Sequence, residues 1–443
     1  MKIQLSDHFN YTWLFRFTLP SVVMMIVTSI YSVVDGLFVS NLVGDGALAA
    51  VNIVFPLTMI VGAFGFMLGN GGSAEVARVM GMGEPDKARQ YFSTLVWTVI
   101  AGGVVLSAGC ILFLEPLARL FGANEALMSD CLSYGYIMLA GTPMFLLQTS
   151  FQSFLVVAER PKLGLALSVG SGVANIFFDY LFIGPLNWGV AGAAGGTVCS
   201  YVVGGLIPLI YFCLPNKSPL RMVKTKLYPR MLLHSCTNGA SELMTNVSSS
   251  LVSALYNRRL MVIAGEKGVA ALSVVMYVNF TFAAALIGFT MGVAPVFSYQ
   301  YGAGNREELK SLFSKCIRIV GALALLMTAA AQLLNGPLAG LFVGYDPELR
   351  AMTEAGFRIF ALSFLCNGWN IFGSGFFTAL GDGKTSAILS FLRTLLFQCG
   401  AIALLPTLFD LNGVWWATVA AEGGAMLVTL WYFWRKRKVY HYA

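Results

Sequence analysis

The chain has 443 residues, of which 57% are hydrophobic and only 11% are charged, and its mean hydropathy is +0.73. Soluble domains carry roughly 25% charged residues, so the composition excludes a water-soluble fold of this length. The formal net charge is +7, but the basic residues stand in short segments between apolar runs. We therefore expect the lipid bilayer to solvate most of the chain, and we expect no nucleic-acid partner.

Twelve apolar runs are each long enough to cross a bilayer as a helix, which needs about 20 residues. They span residues 14–40, 47–72, 91–114, 130–156, 162–184, 189–213, 234–258, 268–298, 312–334, 351–379, 385–407 and 413–434. None shows the strict alternation of a β-barrel strand. The sequence thus predicts an all-α polytopic membrane protein with twelve transmembrane helices. Pro20 lies inside the first run, where we expect it to bend the helix.

Lysine and arginine are unevenly divided between the two sets of loops that twelve spans create. If the N-terminus is cytoplasmic, most of them fall in cytoplasmic segments, with the largest groups in residues 215–233 and 435–438. The opposite loops hold Arg119, Arg258, Arg259, Lys267 and Arg350. Because positive charge favours the cytoplasmic side, we expect a multi-pass protein of the plasma membrane (the inner membrane of a cell that has two) with both termini inside.

The two halves of the chain resemble each other. Residues 81–92 (GMGEPDKARQYF) match 302–313 (GAGNREELKSLF) at an offset of 221 residues, and the same offset places 44–54 on 265–275. Matched segments in the same order argue for an internal duplication. Because six spans per half is an even number, the halves run in the same direction. They should be related by a pseudo-twofold axis along the membrane normal.

The repeat sets the predicted domain boundaries. We assign residues 1–214 to an N-terminal lobe of six helices, 215–233 to a cytoplasmic linker, and 234–443 to a C-terminal lobe of six helices. The cleft between two such lobes is the natural path for a substrate.

Ionisable groups inside a span are functional candidates by default. Asp35 lies in the first span and Asp179 in the fifth, where Asn175 precedes it by one helical turn. Counted with a rise of about 1.5 Å per residue, these residues and Thr197 of the sixth span share one layer of the outer leaflet. Two carboxylates with amide and hydroxyl oxygens form a cage for a hard cation or a site for a proton.

Other polar and soft side chains are candidates for the substrate path. Gln148 and Gln152 share one face of the fourth span, where they either face the cleft or bond neighbouring helices. Met24 and Met25 are candidates for an adaptable apolar cavity.

Four charged residues lie in or near the spans of the C-terminal half. Arg358 and Arg393 are possible counter-charges for the buried acids, and Arg393 is near enough to the cytoplasmic side to snorkel. Glu242 and Glu422 lie nearer the ends of their spans, where we expect interfacial caps or loop partners.

The sequence resembles the multidrug and toxic compound extrusion (MATE) transporters over essentially its whole length, and it looks most like the DinF-like and MepA-like branches. The residues that carry the resemblance are Pro20 followed by Asp35, GALAAVNIVFPL (46–57), GMGEPDKAR (81–89), Asn175-x-x-x-Asp179 and GVAGAAGGT (189–197).

The resemblance implies export of amphipathic, often cationic, organic compounds in exchange for Na⁺ or H⁺, with no further cofactor or structural metal, by a protein that we expect to be a monomer. It assigns cation binding and coupling to Asp35, Asn175, Asp179 and Thr197, and the bend of the first helix to Pro20. The NorM-like branch uses acids of the C-terminal lobe instead. The repeat partner of Asp35 here is Tyr256, so a site of that kind is not expected.

Two rival functions remain open at this stage. A flippase for a lipid-linked precursor would share the architecture, and the arginines of the C-terminal half suit a pyrophosphate, although the paired acids argue against it. A membrane enzyme would need a clustered nucleophile, base or metal set, whereas His8, His234 and His441 are far apart in the sequence. A channel would need a ring of matching pore residues, which a twofold repeat does not supply.

Overall fold

The structure, a computed structural model, describes residues 3–42 and 45–443, and it describes side chains for residues 3–31 and 50–443. Regular structure in this part of the chain is helical. The α-helices are α1 Tyr11–Leu42, α2 Asp45–Gly81, α3 Pro85–Leu112, α4 Leu114–Leu120, α5 Glu125–Ala140, α6 Thr142–Val157, α7 Pro161–Ile183, α8 Gly189–Cys213, α9 Pro229–Asn238, α10 Ala240–Gly302, α11 Arg306–Val343, α12 Pro347–Phe360, α13 Phe364–Ala379, α14 Gly383–Phe391 and α15 Gln398–Tyr440. A 3₁₀ turn at Ala361–Ser363 joins α12 to α13, and a π-helical segment at Leu392–Phe397 joins α14 to α15.

The helices make twelve passes, as predicted. By length and apolar composition, eight helical segments of the described chain qualify as spans. Two of these hold two passes each, because α10 turns at Gly265 and α15 turns at Phe409 and Asp410. Two further passes are divided into shorter helices, α5 with α6 at Gly141 and α12 with α13 at the 3₁₀ turn. We call α1–α8 the N-terminal lobe and α9–α15 the C-terminal lobe.

The contact between the lobes reflects the internal repeat. A Cβ atom added to Gly81 would lie 2.0 Å from the carbonyl oxygen of Tyr299, and one added to Gly302 would lie 2.0 Å from the carbonyl oxygen of Arg78. Tyr299 and Gly302 stand 221 residues after Arg78 and Gly81. Each helix therefore offers the same residues to the other, which is the property of a contact on a twofold axis.

The lobes are joined at one end of the bundle, which we call the basic face and define by Leu5, Gly83, Gly304 and Tyr442. The segment ahead of α1 lies across the seam there. The Leu5 amide donates to Glu159 Oε1 of the N-terminal lobe at 3.1 Å, and Gln300 Nε2 of the C-terminal lobe donates to the Leu5 carbonyl at 2.9 Å. This segment ties the two lobes together at the basic face.

The opposite end of the bundle, the open face, is built differently. Ser29 Oγ and Thr281 Oγ1 form a hydrogen bond between the lobes at 3.2 Å near the middle of α1. Beyond it, the apolar clusters of described side chains belong to one lobe each, one around Ala50 and Ala193 and another around Tyr256 and Trp415. Among the described side chains the lobes are therefore joined at the basic face, and we infer a cleft between them that opens toward the open face.

Candidate functional site

The helix α7 turns one polar face into the N-terminal lobe. Ser168, Ser171, Asn175 and Asp179 follow one another at intervals of three or four residues, which places them on one side of a helix. Asn175 is 1% exposed and Asp179 is fully buried. The side-chain oxygen of Asn175 has no hydrogen-bond partner among the described residues. Burial of an amide oxygen is unfavourable unless a ligand or a partner satisfies it, so Asn175 makes this face a candidate binding site.

Helix α8 packs against Asp179 through a glycine. A Cβ atom added to Gly196 would lie 1.9 Å from Asp179 Oδ1 and 2.8 Å from its backbone nitrogen. The adjacent Thr197 is partly buried, and its hydroxyl donates to the Ala193 carbonyl of its own helix at 3.1 Å. Gly196 therefore makes the close contact with the Asp179 carboxylate. The sequence pattern did not point to this residue individually, although the glycine-rich stretch 189–197 is typical of close helix packing.

Gly196→Ala is expected to force α8 away from α7 or to displace the Asp179 carboxylate. Overpacking of this kind costs about 1–3 kcal/mol, so we expect a lower unfolding temperature together with weaker ion-driven activity. The matched control is Gly400→Ala, because a Cβ atom there would meet nothing within 4 Å. Thermal unfolding of both purified variants tests the prediction, and equal unfolding temperatures for the two would contradict it.

Helix α1 lies along the polar face of α7. A Cβ atom added to Gly164 would lie 3.7 Å from Met24 Sδ, and one added to Gly172 would lie 3.2 Å from Tyr31 Cδ1. Asp35 is one helical turn beyond Tyr31 on α1, but its side chain lies outside the described residues. Its place beside Asp179 therefore stays a prediction.

Pro20 is buried in α1, next to the other lobe. It has no N–H group, so the carbonyl of Arg16 lacks its usual helical donor. Helix α10 packs closely against the residues on either side, because a Cβ atom added to Gly292 would lie 3.1 Å from the Thr18 Cα and one added to Gly288 would lie 2.6 Å from the Ser21 carbonyl oxygen. The weak point of α1 is therefore at the lobe interface. Its role as a hinge stays a prediction.

The two glutamines of α6 lie inside the N-terminal lobe. Gln148 is 6% exposed and Gln152 is 8% exposed. A Cβ atom added to Gly204 of α8 would lie 2.6 Å from the Gln148 Cδ, so this side chain fills the space between α6 and α8. Gln148 Oε1 has no partner among the described residues. Met25 is partly buried, and a substrate role for these side chains remains a prediction.

The C-terminal lobe contains a neutral hydrogen-bonded group around the repeat partner of Asp35. Tyr256 Oη bonds with Thr418 Oγ1 and with Gln398 Oε1, each at 2.9 Å. Tyr256 stands 221 residues after Asp35. The C-terminal lobe therefore brings side chains from α10 and from both passes of α15 together around the repeat partner of Asp35, and their oxygen atoms satisfy one another without a carboxylate.

A buried ion pair in the C-terminal lobe corrects two expectations. Arg393 Nε donates to Glu422 Oε1 and Oε2 at 2.9 and 3.0 Å, and its Nη2 donates to Asn367 Oδ1 at 2.7 Å. Asn370 Nδ2 donates to Glu422 Oε2 at 2.7 Å. The prediction of an interfacial Glu422 was wrong, because this residue is 5% exposed. Arg393 therefore pairs with an acid of its own lobe and, among the described side chains, not with an acid of the other lobe.

The fold and these sites define the class of protein. Twelve transmembrane helices form two related lobes, the cleft between them is closed at one face, and polar groups are buried within each lobe. This is the architecture of a membrane transporter with a substrate path between its two lobes.

Comparison with known proteins identifies the family. Residues 20–181 and 242–400 match the family model described as MatE. Because the two segments together exceed half of the chain, the chain belongs to the MatE family.

Named relatives and solved structures agree with this assignment. The chain is 21% identical to the multidrug export protein MepA of Staphylococcus haemolyticus (strain JCSC1435), covering 95% of this chain and 94% of the relative. It is 23% identical to MepA of Staphylococcus aureus (strain MSSA476), covering 94% and 91%. A crystal structure of MATE in complex with MaL6 superposes with a TM-score of 0.92 at 23% identity, covering 97% of both chains. The outward-facing conformation of a multidrug resistance MATE family transporter superposes with a TM-score of 0.91 at 23% identity, covering 97% and 96%.

Proposed function

We propose that this protein exports small organic compounds from the cell in exchange for Na⁺ or H⁺, which binds in the N-terminal lobe. One observation carries the proposal. Asp179 and Asn175 are buried together on the side of α7 that faces the interior of the N-terminal lobe, and Gly196 of α8 is in direct contact with Asp179. Carboxylate and amide oxygens are the ligands that hard cations prefer, and a buried carboxyl group also takes up a proton readily.

The C-terminal lobe supports the inclusion of Asp35 in this site. Its counterpart in the repeat, Tyr256, lies within hydrogen-bond distance of Thr418, on the pass that matches α8. Because the lobes share one scaffold, we infer that Asp35 likewise faces α8 beside Asp179, and we propose Thr197 of α8 as a further ligand of the cation.

The distribution of basic residues supports an orientation. The basic face carries most of the lysine and arginine residues outside the spans, so we place it and both chain termini in the cytoplasm. The cleft then faces outward, and a cation from outside reaches the N-terminal lobe through it. We further propose that the protein acts as a monomer, because each chain supplies both lobes and the cleft between them.

In the proposed cycle the cation and the organic substrate bind to different conformations of the protein, and this couples the inward movement of one to the outward movement of the other. Cation binding neutralises the carboxylates of the N-terminal lobe and favours a bend of α1 at Pro20, which narrows the lobe and releases the organic substrate outward. The protein then opens at the basic face and releases the cation inside. Coupling requires that cation and substrate favour different conformations, since a ligand shifts an equilibrium only by its differential affinity.

The relatives favour multidrug export over the flippase alternative. The curated relatives are named multidrug export proteins, and they match 91–94% of their own length. Arg393, one of the arginines that kept the flippase open, is bound to Glu422. Arg393 is therefore not free to hold a pyrophosphate.

Efflux from proteoliposomes tests the proposed function. The full chain is reconstituted, and export of a panel of cationic dyes is followed under an imposed Na⁺ gradient or an imposed pH gradient. We expect one gradient to drive dye movement against its concentration and the other to have little effect. Dye movement that is independent of both gradients would overturn the exchange mechanism.

A further inference from the structure

Glu242 is an acid that the proposed ion site does not use, and it lies where the two lobes meet. Its Oε1 accepts a hydrogen bond from Asn70 Nδ2 of the N-terminal lobe at 2.9 Å. The segment just before it, on the side of the basic face, is in the closest contact with α2. A Cβ atom added to Gly71 would lie 2.1 Å from the Ser235 carbonyl oxygen, and one added to Gly239 would lie 2.0 Å from the Met67 carbonyl oxygen. Glu242 therefore stands where the closed seam ends and the cleft begins.

A hydrophilic stripe continues from Glu242 toward the open face. At about 100° per residue, one arc of α10 roughly 100° wide holds six polar residues. These are Glu242, Asn246, Ser249, Ser250, Ser253 and Asn257. Ser249, Ser253 and Asn257 are exposed. With a rise of about 1.5 Å per residue the stripe is roughly 22 Å long.

The other faces of the same helix segment show which way the stripe points. Met244, Val247 and Leu251 are 37%, 42% and 51% exposed on the opposite side of the helix, where an apolar surface suits lipid. Ser248 and Tyr256 are buried on a third side, against the rest of the C-terminal lobe. Since Glu242 contacts Asn70 of the N-terminal lobe, the stripe faces that lobe across the cleft.

The stripe offers oxygen lone pairs more than donors. Asn246 Nδ2 donates to the Glu242 carbonyl at 2.9 Å, Ser249 Oγ to the Thr245 carbonyl at 2.7 Å, and Ser250 Oγ to the Asn246 carbonyl at 3.4 Å. Each of these three side chains gives one donor to its own helix, so their oxygen lone pairs are available to a ligand. Glu242 makes no ion pair with any described residue.

We propose that the polar stripe of α10, with Glu242 at its base, is the binding site for the cationic group of the exported compound. The inference rests on the proposed export function and names the substrate class at the residue level. An organic cation that carries N–H donors, such as an amidinium or a protonated amine, matches the single carboxylate and the row of acceptors above it. The Asn70 hydrogen bond holds the carboxylate in position while the cleft is open outward.

Binding of 4′,6-diamidino-2-phenylindole (DAPI), a compound with two amidinium groups, tests this site. The full chain is purified into nanodiscs, and the Kd for DAPI is measured by fluorescence titration. We expect Glu242→Gln to raise the Kd about tenfold, since a charge-assisted hydrogen bond is replaced by a neutral one. Glu242→Asp, which keeps the charge, should stay within about threefold of wild type. Glu354→Gln, on a partly exposed acid paired with Arg350, should leave the Kd unchanged.

A second pair of variants tests the site without changing Glu242, in case the Glu242 variants do not fold. Ser249→Leu places an apolar side chain on the stripe at an exposed position and should weaken DAPI binding, whereas Val247→Leu on the lipid-facing side should not. If wild type binds DAPI and neither Glu242→Gln nor Ser249→Leu weakens binding, this inference is overturned and the export function stands. If wild type neither binds nor exports any cationic dye, both the inference and the export function are overturned.

Discussion

Asp179→Asn is expected to reduce ion-driven export strongly while leaving the protein folded. Asparagine has nearly the same volume as aspartate, so the contact with Gly196 is kept, but the negative charge that attracts a cation or accepts a proton is lost. Because each 1.4 kcal/mol is a tenfold change, loss of one buried charge-assisted contact should lower ion-driven efflux at least about tenfold. Efflux from proteoliposomes under each gradient measures the effect.

Ion binding gives a second measure that does not depend on transport. A ligand that binds only the folded protein stabilises it by about 2.7 kcal/mol at one hundred times its Kd. If Na⁺ is the coupling ion, added NaCl should raise the unfolding temperature of wild type more than KCl does, and Asp179→Asn should lose this difference. The control is Asp86→Asn, whose carboxylate is 88% exposed in a surface pair with Arg89, and it should behave as wild type.

A double variant tests whether Asp35 and Asp179 form one site. Residues that act as a unit show non-additive effects, so Asp35→Asn added to Asp179→Asn should cause little further loss. Wild-type efflux in Asp179→Asn would show that the proposed site is wrong. Additive losses in the double variant would show that the two acids act separately.

The architecture was predictable from the sequence because the bilayer leaves few alternatives. A chain with long apolar runs and no alternation must cross as helices, and an internal repeat with six spans fixes two parallel lobes. The details of the passes were not predictable. Breaks at Gly141 and at Ala361–Ser363, and the π-helical segment at Leu392–Phe397, do not change mean hydropathy. They arise from packing against neighbouring helices, which a single-sequence pattern does not contain.

The candidate site was only partly predictable, for a similar reason. Helical rise gives the depth of a residue, and Asn175 and Asp179 are buried on one face as expected. The rotation of each helix about its own axis is set by its neighbours. The sequence therefore did not reveal that Gly196 contacts Asp179, or that Arg393 meets Glu422 29 residues later on the next helix.

Arg393→Met is expected to destabilise the protein more than any other single change considered. It leaves Glu422, which is 5% exposed, without its cation. Removal of one partner from a buried ion pair costs about 3–5 kcal/mol, whereas replacement of both partners by groups of similar size is often nearly neutral. The variant Arg393→Met with Glu422→Gln should therefore recover most of the loss. Thermal unfolding of the purified proteins measures both.

An exposed ion pair on the protein surface provides the control for Arg393→Met. Arg119 pairs with Glu115 and Glu125 at exposed positions, and Arg119→Met should lose no more than about 1 kcal/mol. If Arg393→Met and Arg119→Met lose the same stability, the ion pair in the C-terminal lobe is not buried in the membrane. If the double variant is as unstable as Arg393→Met, the arginine acts through packing and not through charge. Recovery in the double variant with normal efflux would assign Glu422 to structure, and would leave the coupling acids to the N-terminal lobe.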